Sequence, residues 1–177
     1  MDIEAGFLSR EPAFFLGIFR TDDRRIMEKV EVQFAWLDPE RSQDLDLPRY
    51  HSEYASGMDV AAAVDGPVVI EPGAIELIPS GFGVALPAGF ELQVRPRSGL
   101  AIKHGLTVVN APGTIDADYR GEIKIGLVNL GRAAFTINRG DRVAQLILAP
   151  VCQVRLAVVE NLPETVRGAG GFGHTGI

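Results

Sequence analysis

Hydrophobic and polar positions alternate in short segments along most of this chain. The segment KVEVQFAW places Val30, Val32, Phe34 and Trp36 on one face, because successive side chains of a strand point to opposite sides. GEIKIGLVNL and RVAQLILAPVCQVRLAVVE are predicted as further apolar strands, with NRGD as a tight turn between them. Helical periodicity is sustained only in SGLAIKHGL, for about two turns. The pattern predicts an all-β fold, either a barrel or a double-sheet jelly roll, with at most one short helix.

Turn-forming residues divide the chain into predicted regions. Glycine and proline, 20 and 11 residues, recur between the apolar segments, which is typical of strands joined by turns. Residues 27–166 are predicted to form one β domain, in which DPERSQDLDLPRYHSEYASG is an exposed, irregular connection. Residues 167–177 are rich in glycine and are predicted to form a flexible C-terminal lid. Residues 1–26 are either an N-terminal extension of unknown role or precede a start at Met27, and the sequence leaves both open.

Composition narrows the class of protein. The length of 177 residues suits one domain, and the net charge of −6 offers no basic surface for a nucleic-acid backbone. The apolar stretch Ala13–Phe19 is too short to cross a bilayer, and no signal-peptide pattern is present, so no membrane partner is expected. The single cysteine, Cys152, is expected to be a small buried hydrophobe. Because one cysteine permits no disulfide within the chain, we expect a cytoplasmic protein.

Two turns carry candidate chemistry. GTIDADYRG (Gly113 to Gly121) holds two carboxylates, a tyrosine and an arginine, and a rigid turn of this kind suits a general base that must orient a water molecule. An ordinary β-turn is the alternative, since aspartate and glycine are favoured there for backbone reasons. In PRSGLA, Arg97, Ser98 and backbone N–H groups suit phosphate oxygens, although a surface turn explains the same residues.

The glycine-rich C-terminus carries a third set of candidates. RGAGGFGHTG contains Arg167, Phe172, His174 and Thr175, a combination suited to closing over a ligand that has phosphates and a base. A disordered terminus is the alternative. The sequence has no histidine, cysteine or carboxylate spacing typical of a protein-bound metal.

Together and in order, these segments match a known family. ASGMDV, PRSGLA, NAPGTIDADYRG, GDRVAQL and RGAGGFGHTG are similar to its five motifs, and from about Lys29 to its C-terminus the chain resembles the trimeric dUTPase (deoxyuridine 5′-triphosphate nucleotidohydrolase) family. The resemblance implies a jelly-roll-like fold of the β-clip type and a homotrimer with active sites at the subunit interfaces. It also implies Mg²⁺-dependent hydrolysis of dUTP to dUMP and pyrophosphate, which limits uracil in DNA and supplies dUMP for thymidylate synthesis.

The resemblance assigns roles to individual residues. By similarity, Asp116 would activate the water that attacks the α-phosphorus, Tyr119 would lie under the deoxyribose and reject a ribose, and Asn110 would read the uracil edge. Ser98 and Gln145 would assist catalysis at the phosphates. Mg²⁺ would be held by the substrate and waters without a direct protein ligand, with Asp59 near those waters. The full set of implied substrate-binding residues is Arg97, Ser98, Gly99, Asn110, Gly113, Thr114, Asp116, Tyr119, Gln145, Arg167, Gly171, Phe172, Gly173, His174 and Thr175.

Some positions depart from the family pattern, and two other functions remain open. Ser56, Val60 and His174 are mild departures that leave the candidate residues in place. dCTP deaminase is similar in fold and in its PRSGLA-type motif, but Asp116 and Tyr119 favour pyrophosphate release over ammonia release. A non-catalytic binding member of the family would be expected to have lost Asp116, Tyr119 or the glycine-rich tail, and all three are present.

Overall fold

The structure is a computed structural model that describes residues 29–171. The chain divides into two units, Met1–Glu31 and Val32–Ile177, and the fold described below belongs to the second unit. The predicted N-terminal extension (residues 1–26) and residues 172–177 of the predicted lid lie outside the described residues.

The described part of the chain is built mainly from short antiparallel strands, so the all-β prediction is confirmed. Its elements are β1 (Gln33–Trp36), α1 (Pro39–Ser42), β2 (Met58–Ala61), β3 (Val68–Ile70), β4 (Ile75–Pro79), β5 (Phe82–Ala85), β6 (Phe90–Pro96), α2 (Ser98–His104), β7 (Leu106–Val108), β8 (Gly113–Ile115), β9 (Lys124–Asn129), β10 (Phe135–Ile137) and β11 (Arg142–Pro150).

Both helices have local causes in the sequence. Helix α2 lies within the predicted helical segment and ends at Gly105, whose φ of 73° suits glycine at a helix C-terminus. Helix α1 is an additional turn within the connection predicted to be irregular. Pro39 occupies its first turn, and the Asp38 side chain accepts a hydrogen bond from Arg41 N at 3.3 Å, which caps the helix. None of the helices in the described range is long and apolar enough to cross a membrane.

The strands form four antiparallel sheets around one apolar core. The largest has the order β2-β11-β6-β8, the second has the order β4-β9-β7, and β1-β5 and β10-β3 form pairs. Each sheet contributes fully buried side chains, including Phe82, Ile137, Leu146 and Ile125. The predicted alternation of β1 is confirmed over Gln33–Trp36, where the rings of Phe34 and Trp36 lie 4.8 and 6.0 Å from that of Phe82.

Strand β11 ends earlier than the sequence pattern predicts. It pairs with β6 as far as Pro150, and residues 151–160 then continue without a regular strand. The apolar side chains there remain exposed within the single chain, because no strand in the described range 29–171 covers them. Cys152 is also exposed, so the expectation that it is buried is wrong for the single chain.

Two polar clusters fasten loops to this framework. Asn129 is fully buried. Its Nδ2 donates to the carbonyl oxygens of Ile70 and Ala133, both at 2.8 Å, and its Oδ1 accepts from Gly131 N at 2.8 Å. At the surface, Arg139 in the predicted NRGD turn donates to Asp44 at 2.6 and 3.0 Å. These hydrogen bonds lower the pKa of Asp44 and raise that of Arg139.

Candidate active site

A polar pocket of about 330 Å³ lies where β2, β11, the end of β6 and the start of α2 meet. Five of the residues predicted from the motifs reach this pocket, and they come from three separate segments of the sequence. The lining comprises His51, Ser52, Ala55, Gly57, Asp59, Arg97, Ser98, Gly99, Arg142 and Gln145. The fold thus joins the first, second and fourth motifs in one site.

A buried carboxylate lies at the base of the pocket. The Asp59 side chain is only 6% exposed, and its Oδ1 accepts a hydrogen bond from Gln145 Nε2 at 2.9 Å. Its Oδ2 accepts one from Arg142 Nη1 at 2.9 Å and lies 3.4 Å from Arg97 Nη2. A carboxylate this buried needs such partners, because an unpaired charge away from water is strongly unfavourable. Asp59 therefore fixes two guanidinium groups and one amide at the pocket.

A β-bulge allows Arg142 and Gln145 to reach the same carboxylate. Gln145 is the cross-strand partner of Asp59, whereas Arg142 pairs with Ala61 across an irregularity in the register. In a regular strand, residues three apart point to opposite faces. The extra residue in β11 makes both Val143 and Ala144 buried and brings Arg142 back to the face of Gln145.

Arg142 and His51 are pocket residues that the sequence reasoning did not single out. His51 Nε2 lies 3.2 Å from Arg142 Nη1 and 3.5 Å from Asp59 Oδ2. The position of Arg142 within GDRVAQL is a signal that could have marked it as a site residue. Regular strand alternation, however, would place Arg142 and Gln145 on opposite faces of the sheet. His51 lies in the predicted irregular connection, where spacing gives no information about position.

Arg97, Ser98 and Gly99 occupy the junction between β6 and α2. Arg97 Nη1 donates to the carbonyl oxygen of Arg142 at 2.7 Å, which holds the guanidinium at the start of β11. Ser98 and Gly99 lie in the first turn of α2, where backbone N–H groups have no acceptor within the helix. A hydroxyl, free N–H groups and a fixed guanidinium are suitable donors for an anionic ligand.

The third predicted motif forms a second cluster at β8 and the loops on either side of it. Gly113 is buried, and a Cβ atom there would lie 3.2 Å from Val94 Cβ and 3.3 Å from Asn110 Nδ2. Asn110 and Thr114 are exposed, as is Asp116, which begins a turn closed by Tyr119 N donating to the Asp116 carbonyl oxygen at 3.1 Å. The side chain of Asp116 is thus available to solvent on a well-connected turn.

The two clusters are separated within one chain. Asp59 lies on β2 and Asp116 directly follows β8, at opposite edges of the sheet β2-β11-β6-β8. Three inter-strand spacings amount to about 14 Å. The pocket lining accordingly includes neither Asp116 nor Tyr119 nor Asn110. One chain therefore does not bring all the predicted site residues together.

The start of the predicted lid is described, and its remainder is not. Arg167 Nε donates to the carbonyl oxygen of Gly170 at 2.8 Å in an exposed turn, in which Gly168 has a φ of 50°. Gly171 is also exposed. The other predicted substrate-binding residues of this segment, Phe172, Gly173, His174 and Thr175, lie outside the described residues.

The described residues contain no group of three or more histidine, cysteine, aspartate or glutamate side chains that could hold a metal ion. The one carboxylate lining the pocket, Asp59, already has hydrogen-bond donors at both of its oxygens.

Comparison with known proteins identifies the family. The family model for dUTPase matches residues 43–176, a range that contains all five motifs. The deoxyuridine 5′-triphosphate nucleotidohydrolase of Desulfotalea psychrophila is 66% identical over 151 residues, which cover 85% of this chain and 100% of that protein. The enzyme of the same name from Maricaulis maris is 56% identical over 152 residues, covering 85% and 99% of the two chains.

Solved structures show the same fold. The dUTPase of Staphylococcus bacteriophage 80alpha, with dUPNHPP, has a TM-score of 0.71 and 25% identity, covering 83% of this chain and 99% of that one. A mutant dUTPase of phage phi11 of S. aureus, described for its coordination of a structural Mg(II) ion, has a TM-score of 0.64 and 24% identity, covering 76% and 99%. With the family match and the sequence relatives, this establishes that the chain belongs to the dUTPase family.

Proposed function

We propose that this protein hydrolyses dUTP to dUMP and pyrophosphate, with Mg²⁺ bound to the substrate. The observation that carries the proposal is the pocket in which buried Asp59 holds Arg97, Arg142 and Gln145 together. Family membership and relatives named deoxyuridine 5′-triphosphate nucleotidohydrolase support the choice of substrate. We assign the phosphates to this pocket. We assign the nucleoside to the cluster at β8 and its flanking loops, the hairpin cluster, which comprises Asn110, Gly113, Thr114, Asp116 and Tyr119.

The pocket suits a chain of phosphates because of its charge and its donors. Two guanidinium groups outnumber the single carboxylate, and Ser98, Gly99 and Gln145 add neutral donors. Positioning and charge neutralisation are the main requirements for attack on phosphorus, so donors fixed in advance accelerate the reaction. We assign Asp59 the role of positioning these donors. This role replaces the one implied by the family resemblance, in which Asp59 lies near the water molecules bound to Mg²⁺.

The hairpin cluster provides the base and the recognition of the nucleoside. Asp116 is exposed on a hydrogen-bonded turn, where its carboxylate can accept a proton from a water molecule directed at the α-phosphorus. Tyr119 offers a ring on which a deoxyribose fits and a 2′-hydroxyl does not. Asn110, Gly113 and Thr114 present amide and backbone groups suited to the edge of uracil.

We further propose that the complete site forms between copies of this chain in a homotrimer. Asp116 and Asp59 lie at opposite edges of one sheet, and Asp116 does not line the pocket, so we assign a second copy the role of bringing Asp116 to it. The segment after β11 supports this, since Val154, Leu156 and Leu162 are each more than four-fifths exposed. Apolar side chains exposed along an extended segment favour burial against another chain. This assembly would also cover Cys152.

The chemistry of the pocket fits a magnesium ion carried by the nucleotide. Arg97, Arg142 and Gln145 would hold the phosphates, and the ion would neutralise charge that develops on the phosphate oxygens. Arg167, together with Phe172, His174 and Thr175, would close over the bound nucleotide as a lid. We also propose a cytoplasmic location, which fits the presence of a single cysteine.

A product assay tests the proposed activity. The purified chain is incubated with dUTP, dCTP, UTP or dTTP, with Mg²⁺ or with EDTA, and pyrophosphate, ammonia and nucleoside monophosphate are measured. We expect pyrophosphate and dUMP from dUTP in a 1:1 ratio, with strong preference over UTP and dTTP. Ammonia from dCTP would identify a deaminase, and binding of dUTP without turnover by folded protein would identify a binding module.

A further inference from the structure

Gly121 makes an unusually close approach to the ring of Tyr119. A Cβ atom at Gly121 would lie 2.6 Å from Tyr119 Cζ and 3.1 Å from Cε2, and closer still to the hydroxyl oxygen. Gly121 is not among the glycines with positive φ, so its backbone conformation is open to other residues. The absence of a side chain at this position is therefore required by the tyrosine ring.

The ring is held in this position by its hydroxyl group. Tyr119 Oη donates a hydrogen bond to the carbonyl oxygen of Glu122 at 2.9 Å, so that the ring lies across Gly121. Tyr119 as a residue is nevertheless 44% exposed, which leaves part of its surface available to a ligand. Gly121 thus supports the ring from behind while the rest of it faces outward.

The backbone of Gly121 has little freedom to move away from an added side chain. Glu122 Oε1 accepts a hydrogen bond from Gly81 N at 2.9 Å, and Ile123 N donates to the Phe82 carbonyl oxygen at 3.0 Å. A Cβ atom at Gly83 would lie only 3.0 Å from the Gly121 carbonyl oxygen, so the loop already packs closely against β5. The Tyr119 side chain is the flexible partner, and a methyl group at Gly121 would displace it.

We propose that Gly121 is a positioning residue that sets the selection of deoxyribose over ribose by fixing the ring of Tyr119. This inference rests on the proposed dUTPase activity and on the assignment of the sugar to Tyr119. To exclude one added hydroxyl group, the ring must occupy its space to within a fraction of an ångström. A displaced ring would therefore lower the selectivity for deoxyribose over ribose.

The test compares four proteins: the wild type, Gly121→Ala, Tyr119→Ala and the double variant. The measured quantity is the ratio of kcat/KM for dUTP to that for UTP, with thermal melting as the check of folding. We expect Gly121→Ala to lower this ratio by roughly tenfold or more. In the Tyr119→Ala background, the same change should alter the ratio by less than about twofold, since the group through which it acts is already gone.

Gly66→Ala is the matched control. A Cβ atom at Gly66 meets no atom within 4 Å, and Gly66 is not among the glycines with positive φ, so the ratio should not change. A folded Gly121→Ala variant with wild-type selectivity, or an equal loss in both backgrounds, would overturn the inference. If the Gly121→Ala variant is unfolded, a folded double variant with Tyr119→Ala supports the contact between Gly121 and the ring. An unfolded double variant refutes it. Failure of the wild type to hydrolyse dUTP would instead refute the proposed function.

Discussion

Arg142 donates a hydrogen bond to Asp59 across a β-bulge, with Nη1 2.9 Å from Oδ2. The Asp59 side chain is buried, whereas the Arg142 side chain is half exposed at the pocket. One end of the ion pair is thus anchored in the sheet, and the other is free to meet a ligand. This arrangement would reduce the conformational entropy that the arginine loses on binding the phosphates that we propose as its ligand.

Removing the anchor should weaken phosphate binding. We expect Asp59→Ala to raise the KM for dUTP by at least about tenfold and to lower the free energy of unfolding by about 1–3 kcal/mol, because Arg97, Arg142 and Gln145 lose a shared acceptor. Steady-state kinetics and urea denaturation measure both. Asp65→Ala, which removes an exposed carboxylate paired with Arg41, is the control and should change neither. A wild-type KM in a folded Asp59→Ala variant would contradict the positioning role.

Replacing the proposed base should separate chemistry from binding. We expect Asp116→Asn to lower kcat by about 10²–10⁴-fold, since the amide cannot accept the proton of the attacking water. The Kd of a non-hydrolysable dUTP analogue, measured by calorimetry, should change little. Asp118→Asn is the matched control, because Asp118 is exposed two residues along the same loop. Near-normal turnover by Asp116→Asn would assign the base to another group.

Truncation after Val166 tests the predicted lid. Removing residues 167–177 should lower kcat/KM for dUTP by on the order of tenfold or more, because Arg167 and the aromatic ring of Phe172 no longer close over the nucleotide. The melting temperature and the oligomeric state, measured by light scattering, should stay unchanged. Arg132→Ala, a change at an exposed arginine outside the predicted lid and outside the segment after β11, is the control for loss of charge. Truncated protein with wild-type kinetics would rule out the lid.

Asn129 should be the most sensitive polar position of the core. Asn129→Ala leaves two carbonyl oxygens and one N–H group without their partner, so we expect a loss of roughly 3 kcal/mol or more in the free energy of unfolding. Urea denaturation measures the loss, and Asn161→Ala at an exposed site is the control. A loss below about 1 kcal/mol would mean that water replaces these hydrogen bonds.

The Asp44–Arg139 contact should make stability depend on pH in the acidic range. Hydrogen bonding to Arg139 lowers the pKa of Asp44, so the stabilisation is present above the pKa of the unfolded state, about 4. It is lost as the pH falls through the lower pKa of the folded state. Asp44→Asn should therefore lower the melting temperature at pH 7, and the difference from wild type should shrink below about pH 4.

A double-variant comparison isolates this contact. In an Arg139→Ala background, Asp44→Asn should have no effect on the melting temperature at either pH, because the hydrogen-bonding partner is already absent. A persistent effect in that background would assign the pH dependence to another partner of Asp44.

Much of the fold could be predicted from short-range patterns. The alternation of Phe34 and Trp36, the helix at Ser98–His104 and the turn at Gly140 each depend on neighbouring residues, and each was predicted correctly. The end of β11 at Pro150 could not be predicted, because a strand continues only where a partner strand pairs with it, and pairing is a long-range property. The prediction that Cys152 is buried is wrong for the same reason.

The sequence by itself determined the family of this protein, and its motifs contain the residues that we propose as base, sugar-contacting ring and phosphate donors. Only the tertiary structure decided which of them meet. A bulge turns Arg142 towards Asp59, and the sheet order keeps Asp116 at the opposite edge. Strand pairing and register bring together segments that are distant in the sequence. Local residue patterns do not predict which distant segments will pair.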